Sequence, residues 1–234
     1  MIEVHALHTL EEFAQAVYLQ RTVWGWGDLD LLPVRFFVVA RKIGGQILGA
    51  FDHDDLCGFL LAIPGITSGR RVYLHSHMLG ILPEYRNSGA GMALKQAQKQ
   101  DALARGITLV EWSFDPLDLK NAYFNIEKLG AAVVRYERNM YGITSSALQA
   151  GLPTDRCIAE WELTQMRKAV EPVARVSVPA DIARIKRADP ERARDIQCAV
   201  AEQFAKCLKQ NLAATGFERG EETGSYLFSS WPSQ

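Results

Sequence analysis

The spacing of hydrophobic and polar residues predicts two helices and then a β-hairpin in the first part of the chain. Thr9-Leu-Glu-Glu12 has the spacing of a helix capping box, so a first helix is expected to begin there. Pro33 suits the first turn of a second, short helix that ends before Gly44-Gly45. Two short apolar runs, residues 46–52 and 56–63, predict a hairpin that Pro64-Gly65 ends.

Further along, the pattern alternates between the strand period and the helix period. The predicted elements are a strand at 71–81, a helix at 90–104, a strand at 107–114, a helix at 121–129, and strands at 131–136 and 157–163. Gly106 and Gly130 follow the two helices, as is common at helix C-termini. This order indicates an α/β (α+β) fold with a mixed central β-sheet and helices on both of its faces.

The last part of the chain differs in composition, which suggests a C-terminal α/β appendage. The pattern predicts a strand at 173–178, an amphipathic helix at 191–211 and a small strand at 226–228. Pro179 and Pro190 each suit the opening of a helix. We therefore divide the chain into a main domain at 1–165 and an appendage at 166–234, which covers the sheet or makes a homodimer contact.

Composition and charge mainly exclude classes of function. The 234 residues are 48% hydrophobic and carry a formal net charge of −1, which does not favour nucleic acid as a partner. The four cysteines are scattered without a Cys-x-x-Cys pair, so we expect no metal centre and a reducing cytoplasm. The N-terminus lacks the features of a signal peptide, and no apolar stretch approaches the ~20 residues of a membrane span. A cytoplasmic protein without a membrane partner is expected.

A short loop, Arg86-Asn-Ser-Gly-Ala-Gly91, lies between the strand at 71–81 and the helix at 90–104. Helix N-termini bind anions, because their N–H groups are unpaired and carry partial positive charge. Glycines allow close backbone approach, and Arg86 could add a charged contact. The loop lacks the Gly-Lys-Ser/Thr ending of a Walker loop and the third glycine of a dinucleotide fingerprint. It is therefore either a phosphate site of another type or a tight turn before a helix.

Residues 79–91, Leu-Gly-Ile-Leu-Pro-Glu-Tyr-Arg-Asn-Ser-Gly-Ala-Gly, resemble motif A of the GNAT acetyltransferases. The resemblance implies that the N–H groups of the loop hold the pyrophosphate of acetyl-CoA and that the end of the strand pairs with the pantetheine chain. The residues so assigned to the cofactor are Leu79, Gly80, Ile81, Arg86, Asn87, Ser88, Gly89, Ala90 and Gly91.

A second stretch, Asn121-Ala-Tyr-Phe-Asn-Ile-Glu-Lys-Leu-Gly-Ala131, is similar to motif B of the same family. By resemblance, Asn121, Phe124 and Asn125 also contact acetyl-CoA. The resemblance covers roughly residues 1–165, and the whole chain resembles a bacterial group of predicted acetyltransferases of unassigned substrate. It implies the GNAT fold and acetyl transfer from acetyl-CoA to a primary amine of a small molecule by direct attack. A non-catalytic CoA-binding or regulatory module, and a structural protein that kept only the fold, are the alternatives.

Two histidines and a glutamate are the candidates for the general base. His75 and His77 are two apart on a predicted strand, so they share a face, and a His-x-His at this distance from motif A acts as a proton relay in the arylalkylamine N-acetyltransferases. Glu111 competes with them, since a carboxylate in an apolar strand is costly unless paired or functional. All three could also be ordinary polar residues of a half-exposed sheet.

The general acid of the family has no counterpart at its usual position. Many GNAT enzymes carry a tyrosine four residues before the motif B glycine, and here that residue is Ile126. Tyr123 and Asn125 are nearby alternatives, or water protonates the thiolate.

The acceptor site is expected at the first loop, where Trp24 and Trp26 stand beside Asp28 and Asp30 and could hold an amine. Arg156 could instead bind a carboxylate of the acceptor, so the charge of the substrate stays open.

Overall fold

The computed structural model describes residues 2–142, 150–165 and 170–231. The chain divides into two compact units, Met1–Glu111 and Trp112–Gln234. The boundary expected between residues 165 and 166 is of another kind, since it separates a family domain from its appendage. The latter boundary stays a prediction.

In its described residues, the first unit is a mixed β-sheet with α-helices packed beside it. In chain order these are β1 (Ile2–Ala6), α1 (Leu10–Trp24), α2 (Val34–Lys42), β2 (Gln46–Asp52), β3 (Asp55–Ile66), β4 (Val72–Ile81), α3 (Ala90–Ala104) and the start of β5 (Leu109–Phe114). The strand order is β1-β2-β3-β4-β5. Neighbours from β1 to β4 run antiparallel, and β4 and β5 run parallel.

Helices cover both faces of this sheet, as the pattern predicts. The apolar sides of α1 and α2 pack on one face in a buried cluster that includes Phe13, Phe37, Phe59 and Met78. The helix α3 lies on the other face, where Lys95 contacts Ser76 of β4. The predicted capping box is present at the start of α1, since Glu12 N donates to Thr9 Oγ1 (3.1 Å) and Thr9 N donates to Glu12 Oε2 (2.8 Å).

The second unit is built on an antiparallel sheet. Its elements are α4 (Leu119–Tyr123), a π-helix (Phe124–Lys128), β6 (Ala132–Glu137), β7 (Arg156–Glu162), β8 (Ala174–Pro179), α5 (Ile182–Ala188), α6 (Pro190–Lys209), β9 (Leu212–Arg219) and β10 (Thr223–Ser230). The strands follow the order β7-β6-β9-β10-β8. Phe204 of α6 packs against Tyr136, Tyr226 and Phe228 of the sheet.

Two predictions about these elements were wrong. Pro64-Gly65 does not end the hairpin, because β3 continues to Ile66. Its pairing with β2 stops at Ala62, so Pro64 lies where only β4 is bonded to β3, and an edge position tolerates the missing N–H. Pro179 ends β8 instead of opening a helix.

The helix expected at 121–129 is α4 followed by the π-helix. The small strand expected at 226–228 is the middle of the longer β10. Strands β1 and β9 were not predicted. Across the described ranges, no helix is both long enough and apolar enough to span a bilayer.

Candidate functional site

The glycine loop of the first unit has a backbone that only some residues can adopt. A 3₁₀ turn at Pro83–Tyr85 leads through Arg86 to Asn87, with φ +67°, and Gly89, with φ +92°. Glycine reaches such angles without steric cost, whereas a β-carbon makes them unfavourable. A β-carbon at Gly89 would meet no heavy atom within 4 Å, so the loop is open on that side.

The loop delivers the N-terminus of α3 to the surface. Ser88 N donates to Tyr85 O (3.3 Å), and Ala90 N donates to Ser88 Oγ (3.3 Å). Within the described ranges no side chain caps α3 at Gly89. The first N–H groups of a helix have no internal acceptor and stand at the positive end of its dipole, so this end is suited to an anion. A cavity of about 550 Å³ adjoins it, lined by Ile2, Asp52, Tyr85, Ser88, Gly89 and Ala93.

Strand β4 carries a β-bulge at His77. Met78 pairs with Leu61 of β3 and Ser76 pairs with Ala62, which leaves His77 as the extra residue. A bulge leaves its extra residue outside the ladder and re-aims the side chains beside it. Accordingly, Ser76 faces Lys95 of α3, whereas Met78 belongs to the cluster beneath α1 and α2.

His75, His77 and Glu111 lie together in the first unit. The two imidazole rings are 6.0 Å apart between centroids, and His75 Nδ1 is 3.6 Å from Glu111 Oε1. The parallel pairing of β4 with β5 makes this contact, since it sets His75 opposite Glu111. The His75 and Glu111 side chains are 22% and 14% exposed, so water reaches both. Although His77 is exposed on one side, the protein atoms around its ring, and secondarily His75, lower its pKa below the usual value, which favours a neutral ring near pH 7.

The end of β4 is paired with β3 and packed by a tryptophan. Gly80 pairs with Phe59, and a β-carbon on Gly80 would approach the Trp24 ring to 3.0 Å. Trp24 in turn stacks on Trp26, with centroids 4.8 Å apart. Both tryptophans are half-buried against the core of this unit, and Asp28 of the same loop is ion-paired with Arg21. The two tryptophans and Asp28 therefore have packing and ion-pair partners within the first unit, which explains their presence in the loop without an acceptor.

The motif B stretch forms a connected segment in the second unit. Asp118 caps α4 by accepting from Asn121 N (3.1 Å), and the buried Asn125 donates through Nδ2 to Asn121 Oδ1 (3.0 Å). Phe124 begins the π-helix, an irregularity that is frequent at functional sites. Ile126 is buried in the interior of the unit.

Two other residues of the second unit are relevant to the expected acid and acceptor. The half-buried Tyr123 lies beneath the Arg219 guanidinium, 3.8 Å from its ring centroid. Arg156 lies beside Tyr141, with its guanidinium carbon 5.5 Å from that ring, and donates to Asp155 O (3.2 Å). Among the described residues no group of three or more histidine, cysteine or acidic side chains could hold a metal ion.

Sequence reasoning missed Lys95, which is buried on the sheet-facing side of α3. Its Nζ donates to Ser76 Oγ (3.1 Å) and to Gln98 Oε1 (2.9 Å). The signal is present in the helix period, because Leu94, Lys95, Gln98 and Ala102 recur at the spacing of one buried stripe.

The chain has the fold of the GNAT acetyltransferases, which confirms the fold expected from the two motifs. No protein-family model and no curated protein matches the sequence. Solved structures do match. The ribosomal-protein-S18-alanine N-acetyltransferase of Escherichia coli is 15% identical with a TM-score of 0.55, and the match covers 73% of this chain and 99% of that one.

Two further structures show the same likeness. A GNAT family acetyltransferase from Elizabethkingia anophelis with acetyl-CoA bound is 14% identical, with a TM-score of 0.53 and coverage of 69% of this chain and 97% of that one. An aminoglycoside 6′-acetyltransferase type Ii is 20% identical, with a TM-score of 0.54 and coverage of 70% and 99%. Since nearly all of each neighbour is matched, more than a quarter of this chain lies outside the shared fold.

Proposed function

We propose that this protein is an acyl-CoA-dependent N-acyltransferase that moves an acetyl group from acetyl-CoA to a primary amine of a small molecule. The observation that supports this most directly lies in the first unit, where β4 bears His75 and His77 and is followed by the open glycine loop at the N-terminus of α3, whose N-cap residue is Gly89. An anion site and a proton acceptor are the two requirements of the reaction, and here they are consecutive in the chain.

The cofactor would be held by the loop at 86–91 and by the end of β4. The first-turn N–H groups of α3 suit a pyrophosphate, and Gly89 has open space beside it where the anion would lie. Residues 79–81 would pair with the amide groups of the pantetheine arm. Asn121, Phe124 and Asn125 of the second unit are proposed as further cofactor contacts. The fold supports this assignment, since a neighbour of the same fold binds acetyl-CoA.

The histidine pair would remove the proton that an amine must lose before it attacks. His77 has a lowered pKa and is therefore neutral near pH 7, as a base must be. His75 and Glu111 would accept the proton in turn, because Glu111 lies 3.6 Å from His75 Nδ1. The amine nitrogen then bonds to the acetyl carbon as the C–S bond breaks, and the thiolate takes a proton from water because Ile126 carries none.

The acceptor would enter near the first loop, with Trp24 and Trp26 as candidate contacts and Arg156 of the second unit as a candidate for a carboxylate. A small molecule is proposed as the acceptor, and neighbours of this fold are named for both a protein acceptor and an aminoglycoside. The cytoplasmic location and the homodimer stay predictions.

One observation favours a second candidate, a CoA-binding module without catalysis. The position at which many GNAT enzymes carry their acid is the buried, apolar Ile126. Such a module would bind CoA through the same loop and leave every amine unchanged.

The deciding experiment is an acceptor screen with acetyl-CoA, in which acetylated product is identified by mass spectrometry and CoA binding is measured by calorimetry in parallel. Product formed with at least one amine, and lost in a His75→Ala/His77→Ala double variant that still binds CoA, supports the enzyme. CoA binding without turnover supports the binding module. Absence of CoA binding under saturating ligand contradicts both.

A further inference from the structure

Lys95 heads a buried network of polar side chains in the first unit. The lysine, Gln98 and Ser76 are 3%, 0% and 7% exposed, so none of them exchanges its protein partners freely for water. Lys95 Nζ reaches Ser76 Oγ on β4, and Gln98 accepts a second bond from the same ammonium. Buried polar groups are costly unless they are bonded, so these contacts define the conformation of each group.

The network continues from α3 to β2. Gln98 Nε2 donates to Gln46 Oε1 (3.1 Å), and Gln46 Nε2 donates to Gln98 O (3.0 Å) and to Asp101 Oδ2 (2.7 Å). Asp101 is also ion-paired with Arg105 on the outer side of α3 (3.0 Å). Lys95 therefore belongs to a helix that is hydrogen-bonded to β2. Because this helix is held in place, the ammonium of Lys95 can restrain the position of β4 through Ser76.

Ser76 is the residue directly before the bulge. On its other side Met78 faces the cluster under α1 and α2, so the chain must change faces within the single residue His77. The ladder to β3 does not define the position of that residue, because the bulge leaves it without an opposite partner. The Lys95–Ser76 bond is a buried polar contact that ties β4 to α3 at this point.

We propose that Lys95 is a positioning residue that acts through Ser76 to hold the bulge of β4, and thereby orients His77 relative to His75. The proposal rests on the proposed function for its catalytic meaning, although the positioning itself can be measured without turnover. If Lys95 only fills space, the Lys95→Met variant, whose side chain is of similar length, should leave the conformation of β4 unchanged.

The decisive variant is Ser76→Ala, which removes the acceptor hydroxyl and changes no charge. We expect the imidazole titration of His77, followed by NMR, to move up toward the ordinary value of 6.5, because a loosened bulge moves the ring away from the protein atoms and from His75, which together lower its pKa. Ser76→Thr keeps the hydroxyl and should restore the wild-type midpoint. Ser225→Ala is the matched control, since it removes another buried serine hydroxyl, bonded to Ser177 in the second unit, and should leave His77 unchanged.

In the enzyme assay, Ser76→Ala should lower turnover by about tenfold or more and leave the Kd for acetyl-CoA within about twofold, because a displaced base costs rate and not cofactor binding. Lys95→Met serves as a second variant, in which amide hydrogen exchange at residues 76–78 should become faster.

Every other outcome of these measurements decides for or against the positioning role of Lys95. A folded Ser76→Ala or Lys95→Met variant with wild-type titration of His77 and wild-type exchange at 76–78 overturns the positioning role, as does a Ser76→Thr variant that behaves like Ser76→Ala. If no amine is acetylated by the wild type while the NMR shifts occur as expected, the proposed function fails and the positioning role stands.

Discussion

Replacing Lys95 by methionine should change how the stability of the protein depends on pH. Burial lowers the pKa of Lys95 from 10.5 to about 7. The unfolded chain has the ordinary value, so between pH 7 and 10.5 the unfolded state binds more protons than the folded state. The free energy of unfolding therefore rises with pH across this window, and the cost of the buried ammonium is fully present below pH 7. Methionine carries no proton and removes this dependence.

The magnitude follows from the difference between the two pKa values. A difference of about 3.5, at 1.36 kcal/mol for each pH unit, corresponds to an upper limit of about 5 kcal/mol. Between pH 7 and pH 9 the wild type should gain up to about 3 kcal/mol in free energy of unfolding relative to Lys95→Met. Below pH 7 the difference between the two proteins should level off, since Lys95 is then protonated in both states.

The assay is urea unfolding followed by tryptophan fluorescence at half-unit steps from pH 6 to pH 9.5, with the result expressed as wild type minus variant. Ser225→Ala is the control, because it removes a buried serine hydroxyl bonded to Ser177 in the second unit, leaves Lys95 and its partners in place and should retain the wild-type slope. A difference that stays flat from pH 7 to pH 9.5 would refute the reasoning, because the lysine would then titrate at the same pH in the folded and unfolded states.

Three further predictions concern the candidate site and the second unit. Gly89→Ala places a β-carbon at φ +92°, which costs about 1–2 kcal/mol and should weaken acetyl-CoA binding by roughly tenfold in calorimetry; unchanged affinity would remove the loop from the cofactor site. His77→Ala should lower turnover with little effect on acetyl-CoA affinity. Wild-type turnover should fall when the pH is lowered below the pKa of His77, which is itself below its usual value. If the His77→Ala variant, the His75→Ala variant and the wild type turn over equally fast, Glu111 is the base. Glu127→Ala removes the acceptor of Phe217 N (2.6 Å) and should cost about 1–3 kcal/mol, measured by denaturation, whereas a smaller loss in Glu127→Gln would show that the oxygen and not the charge matters.

The elements with local signals were predictable from the sequence. The helix α3 and the strand β2 have the bounds that the pattern predicts, because apolar periodicity and the flanking glycines are read within a few residues. The capping box at Thr9 is of the same kind, since its two hydrogen bonds join residues three apart. Such signals depend on no distant partner.

Elements whose existence depends on partners were missed or misjudged. Strand β9 begins Leu-Ala-Ala-Thr-Gly, a weak strand former, and is held by pairing with β10 on one side and β6 on the other. Strand β1 is five residues at the edge of the first sheet, where β2 supplies all of its pairing. Pro64 predicts the end of a strand because proline cannot donate to a ladder, and only the end of the β2 pairing at Ala62 shows that it occupies a tolerated edge.

The candidate site divides in the same way. The anion-binding character of residues 86–91 was predictable, because the positive φ at Gly89 and the start of a helix at Ala90 depend on neighbouring residues in the sequence. The histidines could be identified as candidates, but their relation to Glu111 could not, since it depends on the parallel register that sets His75 opposite Glu111. The bulge at His77 and its contact with Lys95 are likewise products of tertiary structure. A bulge is defined by the neighbouring strand. The helix period places Lys95 on the buried stripe of α3, but its contact with Ser76 depends on which strand packs against that stripe.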